Sequence, residues 1–166
     1  MGHIVNHHRD YRLLQERFDR HITGAPASPT FTKILELLFS PEEARLVRRF
    51  PTLPTPLSKL ADKIGIHEDQ LSDIVQDLAQ RGLVIDIERK GKRYVALPPV
   101  VIGFFEYTFM RSRPDAPMAE IARLFEKYMV EDDRFSRAVF QGQTQVGRSL
   151  PREESLPQGD HIEILD

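Results

Sequence analysis

Between residues 8 and 22, Tyr11, Leu14, Phe18 and Ile22 recur at helical spacing among Arg, Asp, Gln and Glu, which predicts an amphipathic helix. Thr23-Gly24-Ala25-Pro26 ends it, with glycine as the stop and proline just beyond. Pro29 precedes a second helix whose apolar face is Phe31, Ile34, Leu35 and Leu38. Ser40-Pro41-Glu42-Glu43 predicts a third helix start. Ser40 caps, Pro41 suits the first helical position, and Glu43 stands where it can bond back to the cap. That helix should run to about Phe50, and Pro51, Pro54 and Pro56 make a stiff connection.

Residues 57–97 carry the strongest pattern. Thr55-Pro56 repeats the cap-then-proline start, Leu57, Leu60, Ala61 and Ile64 line one helix face, and Gly65 stops it. Leu71, Ile74, Val75 and Leu78 line the next helix, which stops at Gly82. Leu83, Ile85 and Ile87 then alternate with Val84, Asp86 and Glu88, as in a strand with one largely apolar face. Arg89, Lys90, Gly91, Lys92 and Arg93 turn the chain, and residues 94–97 return as a second strand. Helix, turn, helix and hairpin in that order predict a winged helix-turn-helix.

After Pro98-Pro99, residues 100–110 are very apolar and read as a buried helix, with a strand as the alternative. Met118, Ile121, Ala122, Phe125 and Met129 predict one more amphipathic helix. From about Phe135 onward no helical period is visible, and an extended arm is expected. The fold class expected is mainly α (α+β): a winged helix-turn-helix with a small β-hairpin wing, flanking helices and an extended C-terminal arm. Its divisions are residues 1–29 for the first helix and linker, 30–97 for the winged domain, 98–134 for accessory helices, and 135–166 for the arm.

Composition sets limits on this picture. Lys plus Arg number 23 and Asp plus Glu 25, a formal charge of −2, so any attraction to a polyanion must be local. With no cysteine, the chain has no disulfide, no zinc-thiolate site and no thiolate ligand for an iron–sulfur cluster. The longest apolar stretch, residues 100–110, contains Glu106 and falls short of the about 20 residues that span a bilayer. No basic stretch followed by an apolar run opens the chain, so no secretory signal and no membrane association are expected, and a cytoplasmic protein is.

The second helix of the pair, residues 67–82, would be the one to enter a DNA groove. It carries Glu68, Asp69, Asp73 and Asp77 against Arg81. Four acids beside a row of phosphates oppose DNA binding, although Gln70, Gln76 and Gln80 could read base edges. Asp69, Asp73, Gln76 and Asp77 are therefore candidate protein contacts. Acids in the first turn also complement the helix dipole without any partner. In the wing, Arg89, Lys90, Lys92 and Arg93 are candidate phosphate contacts; a solvated loop or a contact to an acidic partner fits them equally.

Phe104, Phe105, Tyr107 and Phe109 could stack on bases, but their flanks are apolar rather than basic, which favours core packing or a homodimer seam. His3 and His7, one helical turn apart with His8 alongside, lack a fixing carboxylate or thiol and read as a terminus rather than a metal site. Glu131-Asp132-Asp133 lacks the alternation and central glycine of a calcium loop. No Gly-x-Ser-x-Gly, no Gly-rich phosphate loop and no His-Glu-x-x-His occurs, so no catalytic residue is assigned. A catalytic site dispersed along the sequence would show as a deep polar pocket.

Several runs carry a resemblance. Leu37-Leu38-Phe39-Ser40-Pro41-Glu42-Glu43-Ala44, Gly82-Leu83-Val84, Pro98-Pro99-Val100-Val101-Ile102-Gly103-Phe104-Phe105-Glu106-Tyr107-Thr108-Phe109-Met110-Arg111, and the tail from Phe140-Gln141-Gly142-Gln143-Thr144-Gln145 through Leu150-Pro151-Arg152-Glu153-Glu154 resemble a bacterial and archaeal family of [4Fe-4S] ferredoxin-type iron–sulfur proteins. The resemblance covers the whole chain. It implies a winged-helix region placed before a cysteine-rich, cluster-binding region, to which no position here corresponds. It implies a non-catalytic interaction module that positions or regulates an iron–sulfur electron-transfer unit, with a protein partner or its own C-terminal iron–sulfur domain. The alternative is a DNA-binding, redox-linked transcriptional regulator using the basic wing.

Overall fold

Three helices built on the first apolar stripes pack together at the N-terminal end of the computed structural model, which describes residues 7–110, 113–114 and 116–140. Helix α1 (His7–Phe18) buries Tyr11, Leu14 and Phe18. It ends a turn before Ile22, because the Asp19 carboxylate accepts the Ala25 N–H at 2.7 Å and Gly24 turns the chain at φ 67°. Ile22 is left 69% exposed. Helix α2 (Pro29–Leu38) is capped by Ser28, whose Oγ accepts the Thr30 N–H at 3.2 Å, and buries all four residues of its expected face. Helix α3 (Pro41–Val47) carries both halves of the capping box. Ser40 Oγ accepts from the Glu43 N–H at 3.2 Å, and the Glu43 carboxylate accepts from the Ser40 N–H at 2.8 Å. It stops short of Phe50: the Arg49 and Phe50 N–H groups bond three residues back, to Leu46 and Val47 carbonyls at 3.0 and 2.8 Å, which tightens the last turn. The Tyr11 hydroxyl donates to the Phe39 carbonyl at 2.8 Å, tying α1 to the end of α2.

The next elements are β1 (Thr55–Pro56), α4 (Leu57–Ile64), α5 (Glu68–Gln80), β2 (Ile85–Arg89) and β3 (Lys92–Ala96). Thr55 and Pro56 do not form the cap and first turn of α4. They pair with Val95 and Tyr94 as a short strand, and α4 begins at Leu57 without a side-chain cap. Gly65 (φ 76°) and Gly82 (φ 75°) end α4 and the α5 turn as their positions in the sequence required. Leu57, Leu60, Ala61 and Ile64 of α4 are buried, as are Leu71, Val75 and Leu78 of α5, with Ile74 half-buried. The three strands form an antiparallel sheet in the order β1-β3-β2. Lys90 (φ 53°) and Gly91 (φ 68°) take the two positive-φ positions that a two-residue hairpin turn demands, which leaves Arg89 directly opposite Lys92.

Residues 100–110 are not the continuous buried helix expected from their composition. Gly103 (φ 159°) lies against Pro98 and Pro99, where an added Cβ would sit 3.0 Å from Pro98 Cβ, and its N–H donates to the Glu106 carboxylate at 2.6 Å. That contact starts a short helix, α6 (Phe105–Phe109), while Ile102 and Met110 face solvent. Helix α7 (Met118–Glu126) buries Ile121 and Phe125 but leaves Ala122 exposed, and runs on into a wider turn that closes with the Asp132 N–H on the Lys127 carbonyl at 2.9 Å and buries Tyr128. Where the arm was expected to begin, Asp133–Phe140 forms helix α8, with Phe135 and Val139 buried one turn apart. The rest of the expected arm, residues 141–166, lies outside the described residues.

One buried cluster draws on residues from Tyr11 to Val139. Phe104 stands inside it, 4.7 Å from the Phe18 ring and 6.1 Å from both Phe39 and Phe125. Among the described residues the fold is mainly helical, eight helices and one small antiparallel sheet, and no helix is long and apolar enough to cross a membrane.

Candidate functional site

Helix α5 and the β2–β3 hairpin face one another, and Arg93 joins them. Its guanidinium makes a two-point contact with Asp86 across the hairpin, Nε to Oδ1 at 3.0 Å and Nη2 to Oδ2 at 2.7 Å, and also donates to the hydroxyl and carbonyl of Ser72 on α5. The Asp86 hydrogen bonds outweigh partial burial and hold the Arg93 pKa above its ordinary value. Of the four cations expected to hold phosphate, Arg93 is thus engaged inside the fold. Arg89, Lys90 and Lys92 are exposed at the hairpin tip, and among the described residues none of the three forms an ion pair.

The expected protein-contact residues Asp69, Asp73, Gln76 and Asp77 are all exposed on α5, at spacings that put them along one stripe. They do not converge on one pocket. Asp69 borders a shallow groove of ≈310 Å³ between α5 and the hairpin, lined by Leu57, Glu68, Asp69, Ser72, Glu88, Gly91 and Arg93. Gln76 borders another, of ≈510 Å³, between α5, β2 and α6. Asp77 accepts from Arg81 Nε at 2.9 Å, and Arg81 in turn reaches Glu43 on α3 and the Leu38 carbonyl. This anchors the C-terminal end of α5 to the helical core, so Asp77 carries part of a structural network as well as surface charge.

The charges of the groove between α5 and the hairpin decide what can enter it. Glu68 and Asp69 line it from the helix and Glu88 from β2, and its one cation is the Arg93 already bound to Asp86. A phosphate backbone laid there would meet three carboxylates at close range, which at an effective dielectric of about 20 is strongly unfavourable.

The other face of the hairpin has the opposite character. Strand alternation directs Ile87, Arg89, Lys92 and Tyr94 away from Asp86, Glu88 and Arg93. A groove of ≈520 Å³ on that side is lined by Pro54, Ile87, Arg89, Lys90, Lys92 and Tyr94. Ile87 is 44% exposed and neighbouring Leu53 75%. The apolar side of the strand read in the sequence is therefore partly the solvent side, because Leu83, Val84, Val95 and Leu97 already supply the core. Ile87, Tyr94 and Pro54 were not singled out from sequence as surface residues; the alternation that placed Ile87 with Arg89 on one side was the available signal.

The aromatic segment divides. Phe104 is core, Phe105 and Phe109 stack edge-on against Phe125 at 5.1 and 5.8 Å, and Tyr107 is partly exposed beside Met110. Among the described residues no group of three or more His, Cys, Asp or Glu is placed to hold a metal ion. His3 and the side chain of His7 lie outside that description. A [4Fe-4S] cluster does not fit this chain: such clusters are held by thiolates, and the chain has no cysteine. Compared with known proteins, the chain matches no family model, no curated protein and no solved structure.

Proposed function

We propose that the chain is a non-catalytic winged-helix module that works by protein contact, with α4 and α5 as the helix pair and the β2–β3 hairpin as the wing. The observation that supports it is the groove between α5 and the hairpin. In a DNA-binding version of this arrangement that groove would run beside phosphates; here it is lined by Glu68, Asp69 and Glu88, and Arg93 is bound to Asp86. The exposed stripe of Asp69, Asp73, Gln76 and Asp77 suits a partner surface that is basic or rich in hydrogen-bond donors. In this reading the partner is an iron–sulfur electron-transfer protein or domain, which supplies the cysteines this chain lacks.

Incorporation of a photo-crosslinking amino acid at Asp73 in living cells tests the contact. Adducts to a cysteine-rich iron–sulfur protein, lost when Asp69 and Asp77 are changed to Lys, are the expected result; adducts to nucleic acid alone overturn it.

A DNA-binding redox regulator is the second reading, favoured by the exposed cations Arg89, Lys90 and Lys92. Anisotropy titration against mixed-sequence duplex DNA at about 50 mM salt separates the two. The protein-contact reading expects no salt-sensitive binding there. Binding that disappears on neutralising Arg89, Lys90 and Lys92 would establish the second reading instead.

A further inference from the structure

We infer that the outer face of the hairpin is a second docking site, which takes an extended acidic segment of a partner protein with an apolar residue two positions from its acids. This site opens on the hairpin face opposite Asp86, Glu88 and Arg93, with Ile87 also reaching the rim of the groove that Gln76 borders, and it does not depend on the α5 contact proposed above.

Two cross-strand rungs on one face define it. At the tip, Arg89 stands directly opposite Lys92; two positions inward, past the Glu88–Arg93 rung that points to the other face, Ile87 stands opposite Tyr94. Both rungs point to the same side, where Pro54 adds apolar lining to the groove. Like charges directly opposed across a hairpin are destabilising, and Lys90 adds a third cation in a left-handed turn position. Arg93, by contrast, is given Asp86 as its partner. Among the described residues no carboxylate lines the outer groove or pairs with the three tip cations. The fold thus retains an uncompensated cluster of positive charge beside exposed apolar surface, and an acidic ligand would compensate it.

Shape and charge choose the class of occupant. At ≈520 Å³ the groove falls within the about 300–1,000 Å³ of typical ligand sites, and it is concave, which suits a single chain better than a flat bilayer. A DNA duplex could satisfy the cations but has no side chain for the Ile87–Tyr94 rung. An extended peptide meets both rungs. Its same-side residues are two apart, about 6.8 Å, so a carboxylate at the tip rung places an apolar side chain on Ile87 and Tyr94.

The test is fluorescence anisotropy of the full chain with the labelled peptide Asp-Glu-Ser-Leu-Ser-Leu-Gly, its leucine-free version with Ser in both positions, and its version with Lys in place of both acids. The proposal expects the first peptide to bind and each control to bind about tenfold more weakly or not at all. It expects I87S alone and R89Q/K92Q together to weaken the first peptide by a similar factor, and D73N to leave it unchanged. All these positions are exposed, and circular dichroism confirms that each variant is folded. Absence of binding overturns the proposal. So does binding indifferent to I87S, which is counter-ion association only. Tighter binding of duplex DNA, or of phosphatidylserine-containing vesicles, through the same three positions overturns it too. Loss of crosslinking at Asp73 with peptide binding intact would reject the α5 reading and leave this one standing.

Discussion

Arg93 and Asp86 meet across the hairpin through two hydrogen bonds, at 3.0 and 2.7 Å, and neither side chain is more than about a quarter exposed. The pair stands next to α5, with Ser72 as a third partner, so it fixes the hairpin against the helix as well as closing the hairpin itself. Arg93→Met should cost about 1–2 kcal/mol, since it leaves a half-buried carboxylate without its cation. Arg89→Met, at the exposed tip, should change stability by less than about 0.5 kcal/mol. A double-mutant cycle with Asp86→Asn, read by urea denaturation, should return a coupling energy near 1 kcal/mol. A coupling indistinguishable from zero would mean that Arg93 is a surface cation after all, and would return it to the phosphate-binding set.

Gly82 and Gly65 share almost the same backbone conformation and differ in their surroundings. Both have φ near +75°. A Cβ on Gly65 meets nothing within 4 Å, whereas one on Gly82 collides with the Tyr107 carbonyl, with the carbonyl carbon 2.7 Å away. Gly65→Ala should therefore cost only the left-handed strain, about 1–2 kcal/mol. Gly82→Ala adds a backbone collision that cannot be relieved by a rotamer, so its cost should exceed that of Gly65→Ala by at least about 1 kcal/mol. Equal thermal shifts for the two variants would show that α6 does not press on the end of α5 as described.

What could be read from the chain and what could not divides along range of interaction. The Ser40–Glu43 capping box and the stops at Gly65 and Gly82 were readable because their partners lie within a few residues. Thr55-Pro56 looked like another helix start, yet β3 claims both residues from forty positions away, and pairing at that distance leaves no local trace. Residues 100–110 looked helical because they are apolar; Pro98, Pro99 and Gly103 prevent it, through a contact between backbone and ring that hydropathy does not encode. Phe135 and Val139 did carry a one-turn signal, but two apolar positions in eight residues are too few to establish a period. At the candidate site, the acids of α5 lie where the pattern placed them. The engagement of Arg93 was hidden because its partner, Asp86, is set by the hairpin register.

Phe104 tests whether residues 98–110 belong to the common core. Its ring contacts Phe18 at 4.7 Å, Phe39 at 6.1 Å and Phe31 at 6.4 Å, and it is fully buried. Phe109, in the same short segment, is 36% exposed and touches Phe105 and Phe125. Phe104→Ala should cost about 3–5 kcal/mol and Phe109→Ala about 1–2 kcal/mol, measured by chemical denaturation. If Phe109→Ala proved the more damaging, the exposed side of α6 would be buried in solution, as in a dimer, and the midpoint would then rise with protein concentration.

His21 gives the fold an acid-sensitive point. Its Nε2 is buried with no hydrogen-bond partner among the described residues. Burial lowers its pKa below the ordinary 6.5; a hydrogen bond to the Leu97 backbone acts the other way and the nearby Arg17 adds to the lowering. The unfolded chain therefore takes up a proton at this histidine at a higher pH than the folded chain does. Stability tied to His21 is fully present above about pH 6.5 and falls as the pH drops from there through the folded-state value. Carboxylates also destabilise the fold in acid, so the informative quantity is a difference between variants. His21→Asn cannot take up that proton, and between about pH 7 and 5 its unfolding midpoint should fall less steeply than that of the parent chain. Superimposable pH profiles would show that the imidazole reaches water in the folded protein and that its burial does not govern its ionisation.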